Sequence, residues 1–270
     1  MFRQIVQALA DGGLRVAGFG ALSLHEDPEL PLGELCRIFD LLSSLGDRIG
    51  HPALKAMGLF LGMTLFGPTE RFVIHRQAPD VLVTDRHPIL DCLVYSHFYL
   101  PRLERPIAPF ADRLAAGLAE AGRDPVATMA AVEAWIERLP EPLCNAGGFR
   151  GLPIVLAQLF ERPARELLGP LEALFGTPFP DCVVRLQVPV ATACDRIEAR
   201  ASNAGAAARE MHESRLALEG IHETYRKTLA LLETERPVLR VVVNEGVAHD
   251  WCEFLDLARP PLEVPCAGQL

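Results

Sequence analysis

Hydrophobic positions along the chain fall into short, wholly apolar runs and longer stretches with helical spacing. The apolar runs are "LRVAGFGAL", "DVLVTD", "DCVVRLQVP" and "VLRVVVNEG", and we predict a buried strand in each of them. Between the runs, apolar residues recur every three or four positions, as in "LGELCRIFDLLSSL". Buried strands that alternate with helices predict an α/β fold, in which a doubly wound parallel sheet carries helices on both faces.

The stretches between the strands divide the chain further. Helices are predicted at 2–9, 32–45 and 53–66, and "GPTERFVIHRQAP" is predicted to connect the third of them to the second strand. Residues 101–180 are predicted to form a helical insertion, in which "EPLCNAGGFRGLP" is a loop and "IVLAQLFERPARELLGPLEALFG" is helical. We assign residues 1–258 to a single domain and the proline-rich residues 259–270 to an irregular tail.

Charge and cysteine content narrow the partners and the compartment. The chain has 270 residues and a formal net charge of −9, so it lacks the basic field that binding to a nucleic acid duplex requires. Its seven cysteines include no C-x-x-C pair, which predicts reduced thiols and a cytoplasmic protein. The longest apolar run, "MGLFLGMTLFG", is too short to span a bilayer, so no membrane partner is expected. A few local arginines still permit a small anionic ligand, and a homodimer is left open.

Polar or charged residues follow three of the four predicted strands. Glu26 comes after the first strand, Asp85, Arg86 and His87 come directly after the second, and Asn244 follows the last. In a parallel sheet the carboxyl ends of the strands lie at one edge, and ligands bind there. The sequence therefore predicts a ligand site at this edge of the sheet.

Three segments carry motifs in a recognisable order. They are "EDPELPLGELCR", then "TDRHP" followed by "ILDCLVY", and finally "LQVPVATACDRIEARA". Together they resemble the thymidylate kinase and deoxynucleoside kinase superfamily, and "TDRHP" resembles the nucleoside-binding segment of herpesvirus-type thymidine kinases in particular. In thymidylate kinases the first segment reads E-P-G-G-T-P-L-G-E-x-x-R. The third leads into a helical lid, here about 196–215, and Tyr225 falls at an aromatic position of the helix that follows.

The resemblance implies ATP-dependent, magnesium-assisted phosphoryl transfer to a nucleoside or nucleoside monophosphate, with thymidine or thymidylate as the favoured acceptor. Asp85 would be the Mg²⁺ ligand, and Arg86 would bind near the acceptor oxygen or acceptor phosphate. Glu26 would be the general base, and Arg196 with Arg200 would stabilise the transferring group. The further candidates are His87, Arg71 and Tyr95 for substrate binding and Asn244 for cofactor binding.

Each candidate also has a structural alternative. Asp85 and Arg86 could be a surface ion pair that caps a strand, and His87 could be a packed imidazole that bonds to the backbone. Glu26 lies in the polar loop "HEDPE", where a neighbouring acid could take its role. The paired arginines of the third segment lie four residues apart, and with nearby acids they could form an ordinary salt-bridged helix face.

The glycine-rich phosphate loop of this superfamily, G-x-x-x-x-G-K-[ST], is absent from the sequence. "DGGLRVAGFGAL" is rich in glycine, but it has no Lys-Ser/Thr and precedes a strand instead of opening a helix. We therefore expect the strand that carries the loop to be missing, with Met1 an internal methionine of a longer reading frame. The alternative is a degenerate kinase that acts as a non-catalytic, nucleotide-binding regulatory module. In the families that the chain resembles, an Arg or Gln of the helix before the second strand binds the base or the acceptor phosphate. The equivalent stretch here has neither residue before Arg71, so the identity of the acceptor stays open.

The reading frame upstream of Met1 tests the expected missing strand. We expect it to encode an apolar strand followed by a glycine-rich loop with Lys-Ser/Thr, because the kinase fold needs both to hold the donor phosphates. Sequencing the upstream DNA is the measurement. A stop codon before any such element would refute the expectation.

Overall fold

The computed structural model describes residues 2–103, 111–204, 213–233 and 239–243. Asn244 and the predicted tail therefore lie outside the described residues, as does part of the predicted lid. The described helices are α1 (Phe2–Asp11), α2 (Gly33–Ile49), α3 (Pro52–Thr64), α4 (Phe66–Gln77), α5 (Pro88–Leu103), α6 (Ala111–Glu120), α7 (Pro125–Ile136), α8 (Leu152–Phe160), α9 (Ala164–Phe175), α10 (Val190–Ala204) and α11 (Arg215–Glu233), with a short 3-10 helix at Leu24–Glu26. The strands are β1 (Val16–Phe19), β2 (Val81–Thr84), β3 (Val183–Gln187) and β4 (Leu239–Val243).

The four strands occupy the four predicted apolar runs, and they form two parallel pairs. β1 pairs with β2, with Val16 opposite Val81, and β3 pairs with β4, with Val183 opposite Leu239. Parallel strands within a largely helical chain agree with the α/β prediction in this coarse form. A continuous doubly wound sheet is not what the described residues form, because they place no strand that joins β2 to β3.

Helix α4 is absent from the sequence-based assignment, which treated "GPTERFVIHRQAP" as a connection. The Gly-Pro pair at its start suggested a break, but proline is tolerated in the first turn of a helix, where its missing N–H needs no partner. Gly67 has a packing role instead, since a Cβ at this position would lie 2.0 Å from the Phe175 carbonyl oxygen. α4 therefore lies directly against the end of α9.

The predicted helical insertion consists of α6 to α9, and it contributes to the main core. The stretch predicted as one helix from 154 to 176 is two, because Pro163 starts α9 after a short break. Leu156, Leu171 and Phe175 of this region are buried in the same apolar cluster as Phe39 of α2. The insertion is thus an integral part of the fold.

Helices α2 and α3 form a close antiparallel hairpin whose contact surface depends on glycine. A Cβ at Gly46 would lie 2.4 Å from the Lys55 backbone nitrogen, and one at Gly58 would lie 2.5 Å from the Ser43 backbone nitrogen. The hairpin turns at Gly50, whose φ of 68° favours glycine. α3 is apolar on nearly all sides, and it is accordingly buried on nearly all sides.

No helix in the described ranges has both the length and the apolar character needed to cross a membrane.

Gly58→Ala tests the close packing of α2 on α3. The added methyl group overlaps backbone atoms of α2, so we expect the free energy of unfolding to fall by about 1–3 kcal/mol. Gly220→Ala is the matched control, because Gly220 is an exposed residue of α11 and a Cβ there meets nothing within 4 Å. The control is expected to gain roughly 0.5–1 kcal/mol from helix propensity. Urea denaturation of both variants measures the difference, and equal effects would contradict the packing.

Candidate functional site

The carboxyl ends of β1 and β2 meet at Asp85. Oδ1 of Asp85 accepts a hydrogen bond of 2.8 Å from the Ala21 N–H, in the loop that follows β1. Gly20 lies in the same turn, where a Cβ would lie 2.2 Å from Ser23 Oγ, so glycine leaves room for the Ser23 side chain. The carboxylate is therefore held at the strand edge by two segments that are remote in the sequence.

Arg86 forms an ion pair with Asp91, an acidic residue in the first turn of α5. Nη1 of Arg86 donates to Oδ2 of Asp91 at 3.2 Å, and the Tyr225 hydroxyl of α11 makes a long hydrogen bond of 3.5 Å to Oδ1. Burial raises the pKa of Asp91, and the nearby Arg86 guanidinium opposes this effect. Burial alone would lower the pKa of Arg86, but the charge and hydrogen bond of Asp91, together with Tyr95 and Tyr225, outweigh it and the pKa of Arg86 is raised. The arginine thus stays charged beside a buried carboxylate, while its own side chain is partly exposed.

One cavity, which we call cavity 1, lies between α2, α3, α5 and α8 and has a volume of about 350 Å³. A polar stripe of α2 forms one wall, and it consists of Asp40, Ser43, Ser44 and Asp47. The opposite wall is apolar and includes Phe60, Met63, Leu156 and Phe160. Asp47 is fixed by an ion pair with Lys55, whose side chain is buried. Cavity 1 therefore offers an apolar surface on one side and hydrogen-bonding groups on the other.

A second cavity of about 410 Å³, cavity 2, lies between the end of β2, strand β3 and helix α11. Its charged lining includes Asp85 at the end of β2 and Arg185 in β3. Arg86, Asp91 and Tyr95 line both cavities. The Arg86–Asp91 pair thus stands at the junction of two adjoining cavities, each large enough for part of a small ligand.

The His87 ring packs against two phenylalanines at the border of cavity 2. Its centroid lies 5.0 Å from that of Phe66 and 6.0 Å from that of Phe179, and the residue is only 8% exposed. Burial lowers the pKa of His87 to about 4, so the imidazole is neutral at physiological pH. Within the described part of the chain, no hydrogen-bond partner reaches its Nδ1. Its role in substrate binding stays a prediction.

The structure brings some predicted residues to the cavities and leaves others apart. Asp85, Arg86, His87 and Tyr95 line them, and the Tyr95 and Tyr225 rings meet edge to face with centroids 6.3 Å apart. The predicted residues that line neither cavity are Glu26, which is exposed on the 3-10 helix, Arg71, which donates to the Gly176 carbonyl at 2.8 Å, and Arg196 and Arg200 of α10.

Arg200 and Arg71 make contacts within the protein. Arg200 forms an ion pair with Glu213, which lies beyond the end of α10. Arg71 satisfies a carbonyl group at the C-terminal end of α9. The catalytic roles of Arg196 and Arg200 and the substrate role of Arg71 therefore stay predictions, and Asn244 lies outside the described residues.

Two residues of the site were not predicted from the sequence, although each is a single charged residue within an apolar stretch. Asp91 is the one acid in the apolar stretch "PILDCLVY", and Arg185 is the one charge in the apolar run "VVRLQV". A charge within a buried element requires a partner or a function. Asp91 has Arg86 as its partner, whereas Arg185 donates to Nδ1 of His222 at 3.3 Å and lies 5.3 Å from the Tyr225 ring centroid.

Asp85 is a fitting ligand for Mg²⁺ only together with oxygens from a bound molecule. Among the described residues, no cluster of three or more His, Cys, Asp or Glu side chains is placed to hold a metal ion. Mg²⁺ commonly binds one or two carboxylates and completes its shell with water and substrate phosphates. The donor set at the end of β2 is compatible with that mode of binding.

Comparison with known proteins adds no relative: no family model matches the chain, and no curated protein matches it at a significant level.

The burial of His87 predicts an acid-sensitive stability. The unfolded chain protonates this histidine near its ordinary pKa of about 6.5, while the folded protein does so only near pH 4. Stability is therefore expected to fall as the pH drops from about 6.5 to about 4, by about 3 kcal/mol from this residue. His87→Phe is expected to remove that part of the slope, measured by urea denaturation across the range.

His75→Phe is the matched control, because His75 is exposed near the end of α4. We expect it to keep the wild-type slope. If His87→Phe and wild type lost the same stability between these pH values, the buried neutral imidazole would be contradicted.

Proposed function

We propose that the chain binds a nucleoside or nucleoside monophosphate in cavity 1 and takes part in the transfer of a phosphoryl group to it from ATP. The observation that carries the proposal is the position of Arg86. This charged side chain lies between a cavity with an apolar wall and a cavity at the carboxyl end of β2, which is the usual ligand edge of a parallel sheet. Thymidine or thymidylate remains the favoured acceptor from the motif "TDRHP".

Arg86 and Asp85 would have different roles at the junction: Arg86 would bind the acceptor, and Asp85 would bind Mg²⁺. Arg86 uses one N–H on Asp91, so its other donors are available to orient an acceptor oxygen or phosphate. Asp85, held by the Ala21 N–H, presents a carboxylate at the same edge. When bound there with phosphates, Mg²⁺ neutralises charge on the transferring group. Phosphoryl transfer needs chiefly positioning and charge stabilisation, and Arg86, held by its ion pair with Asp91, would contribute to both.

We also propose that β1–β2 and β3–β4 are the two halves of one doubly wound sheet. β2 and β3 both line cavity 2, and in the described part of the chain each has a hydrogen-bonded neighbour on one side only. A further parallel strand between them would satisfy both open edges. The loop after such a strand would lie beside Asp85 and Arg86, where the donor phosphates are needed.

A non-catalytic, nucleotide-binding regulatory module is the second candidate function. The observation that favours it is the absence of G-x-x-x-x-G-K-[ST] from the sequence. Without backbone N–H groups from such a loop, the donor phosphates lose their main cradle. Binding of the acceptor in cavity 1 does not depend on that loop.

Assays of the chain, alone and with its upstream in-frame extension, test the proposal. ATP, Mg²⁺ and a panel of nucleosides and monophosphates are supplied, and product is measured directly. We expect turnover that Arg86→Ala lowers by about a hundredfold or more, because a charged donor to the reacting groups is lost. Arg15→Ala is the matched control: Arg15 also pairs with an aspartate, Asp80, but at the opposite ends of the strands.

The outcomes separate the two candidates. Turnover that both variants retain would refute the role of Arg86. Absence of turnover, with a ligand-induced rise of Tm that Arg86→Ala loses, would support the binding module. Neither turnover nor a rise of Tm with any acceptor would contradict both functions.

A further inference from the structure

Arg185 is a partly buried cation whose surroundings lack the usual partner. It lies in the middle of β3, and within the described ranges no carboxylate forms an ion pair with it. Its polar contact is the hydrogen bond to His222, and burial lowers its pKa. A cation withdrawn from water without an anion is costly, so a fold retains one chiefly where an anion is to be bound.

Among the described residues, one N–H of Arg185 donates to His222, and Arg185 and His222 both line cavity 2. The Tyr225 ring lies beneath the guanidinium at 5.3 Å, which fixes the plane of the group by a cation–π contact. Because Nδ1 of His222 accepts the Arg185 N–H, that imidazole carries its proton on Nε2, which becomes a further donor. A planar guanidinium beside an N–H donor matches the oxygens of a phosphate group.

The rest of cavity 2 is consistent with an anion at this wall. Arg86 also faces the cavity, and it already neutralises Asp91. Asp85 is held at the end of β2 by the Ala21 N–H. His87 is also among the residues that line the cavity. Arg86 and Arg185 thus share one space of about 410 Å³ with Asp85 and Asp91, and the ion pair of Asp91 is with Arg86.

We propose that Arg185 and His222 form an oxyanion site on the wall of cavity 2, which binds a phosphate group of a nucleotide. The identity of the ligand as a nucleotide rests on the proposed function, whereas anion binding itself does not. The site lies on the face that α11 covers, so it is compatible with a further strand in the plane of β2 and β3. Strand β3 and helix α11 would thereby contribute directly to nucleotide binding.

Pyrophosphate binding to the whole chain tests the site. Titration calorimetry at constant ionic strength is expected to show that Arg185→Gln weakens binding by about tenfold to hundredfold, because a charged bidentate contact is lost. Arg185→Lys keeps the charge but loses the planar fork, so an intermediate affinity is expected. Arg226→Gln is the matched control: Arg226 lies on α11, the helix that carries His222, but is exposed and paired with Glu223, and the variant should bind as wild type does.

Thermal unfolding distinguishes a binding role from a structural one. Without pyrophosphate, Arg185→Gln should have a Tm no lower than wild type, because an uncompensated charge is removed. With pyrophosphate, wild type should gain Tm and the variant should not. A lower Tm of the variant combined with an unchanged pyrophosphate response would overturn the site.

A measurement on wild type guards against a variant that does not fold. Pyrophosphate should protect Arg185 from phenylglyoxal, as quantified by mass spectrometry of its peptide, while Arg226 stays reactive. Equal modification of Arg185 with and without pyrophosphate would overturn the proposal. Pyrophosphate binding without turnover of any acceptor would contradict the proposed kinase activity but would still support the anion site at Arg185 and His222. If Arg185→Gln changed neither the turnover nor the pyrophosphate affinity, the anion site would be contradicted, whereas the proposed kinase activity would not.

Discussion

The ion pair between the partly exposed Arg86 and the buried Asp91 is the interaction on which the rest of the site depends. It joins the end of β2 to the first turn of α5, and the Tyr225 hydroxyl ties α11 to the same carboxylate. α5 in turn packs against α3, α8, α9 and α11, so the pair sits where most of the helical layer converges. Losing Arg86 would leave the Asp91 carboxylate buried without its partner, which is more costly than losing one member of a fully exposed pair.

The open edges of β2 and β3 are the second constraint. Backbone groups at the edge of a buried parallel strand need partners, and β1 and β4 supply them on one side only within the described chain. The same two strands line cavity 2, so their edges and a charged cavity occupy one region. In the proposed single sheet, a strand between β2 and β3 would therefore also carry its loop to the cavity.

Local sequence patterns predicted most helices and strands, whereas contacts between residues remote in the sequence determine which side chains line the cavities. All four strands lie in apolar runs, and their parallel pairing followed from the helices between them. α4 was missed because a Gly-Pro pair that normally marks a break serves here to pack against the Phe175 carbonyl. Arg200 and Arg185 show the limit of spacing arguments: the first had helical spacing and pairs with Glu213, while the second is a single charge in a strand and faces the cavity. Which charge meets which cavity depends on tertiary packing, and the sequence alone does not encode it locally.

The two cavities differ in the kind of chemical group that they favour, and the Arg86–Asp91 ion pair lines both of them. Cavity 1 combines an aromatic and aliphatic wall with acids and hydroxyls of α2, which suits an apolar ring that carries hydrogen-bond donors. Cavity 2 presents arginine donors, which suit oxyanions. A bare arginine at the junction would draw anions into both, but Asp91 cancels most of its long-range field and leaves its directional N–H groups. In the proposed function, Arg86 would orient a ligand that spans the junction between the two cavities.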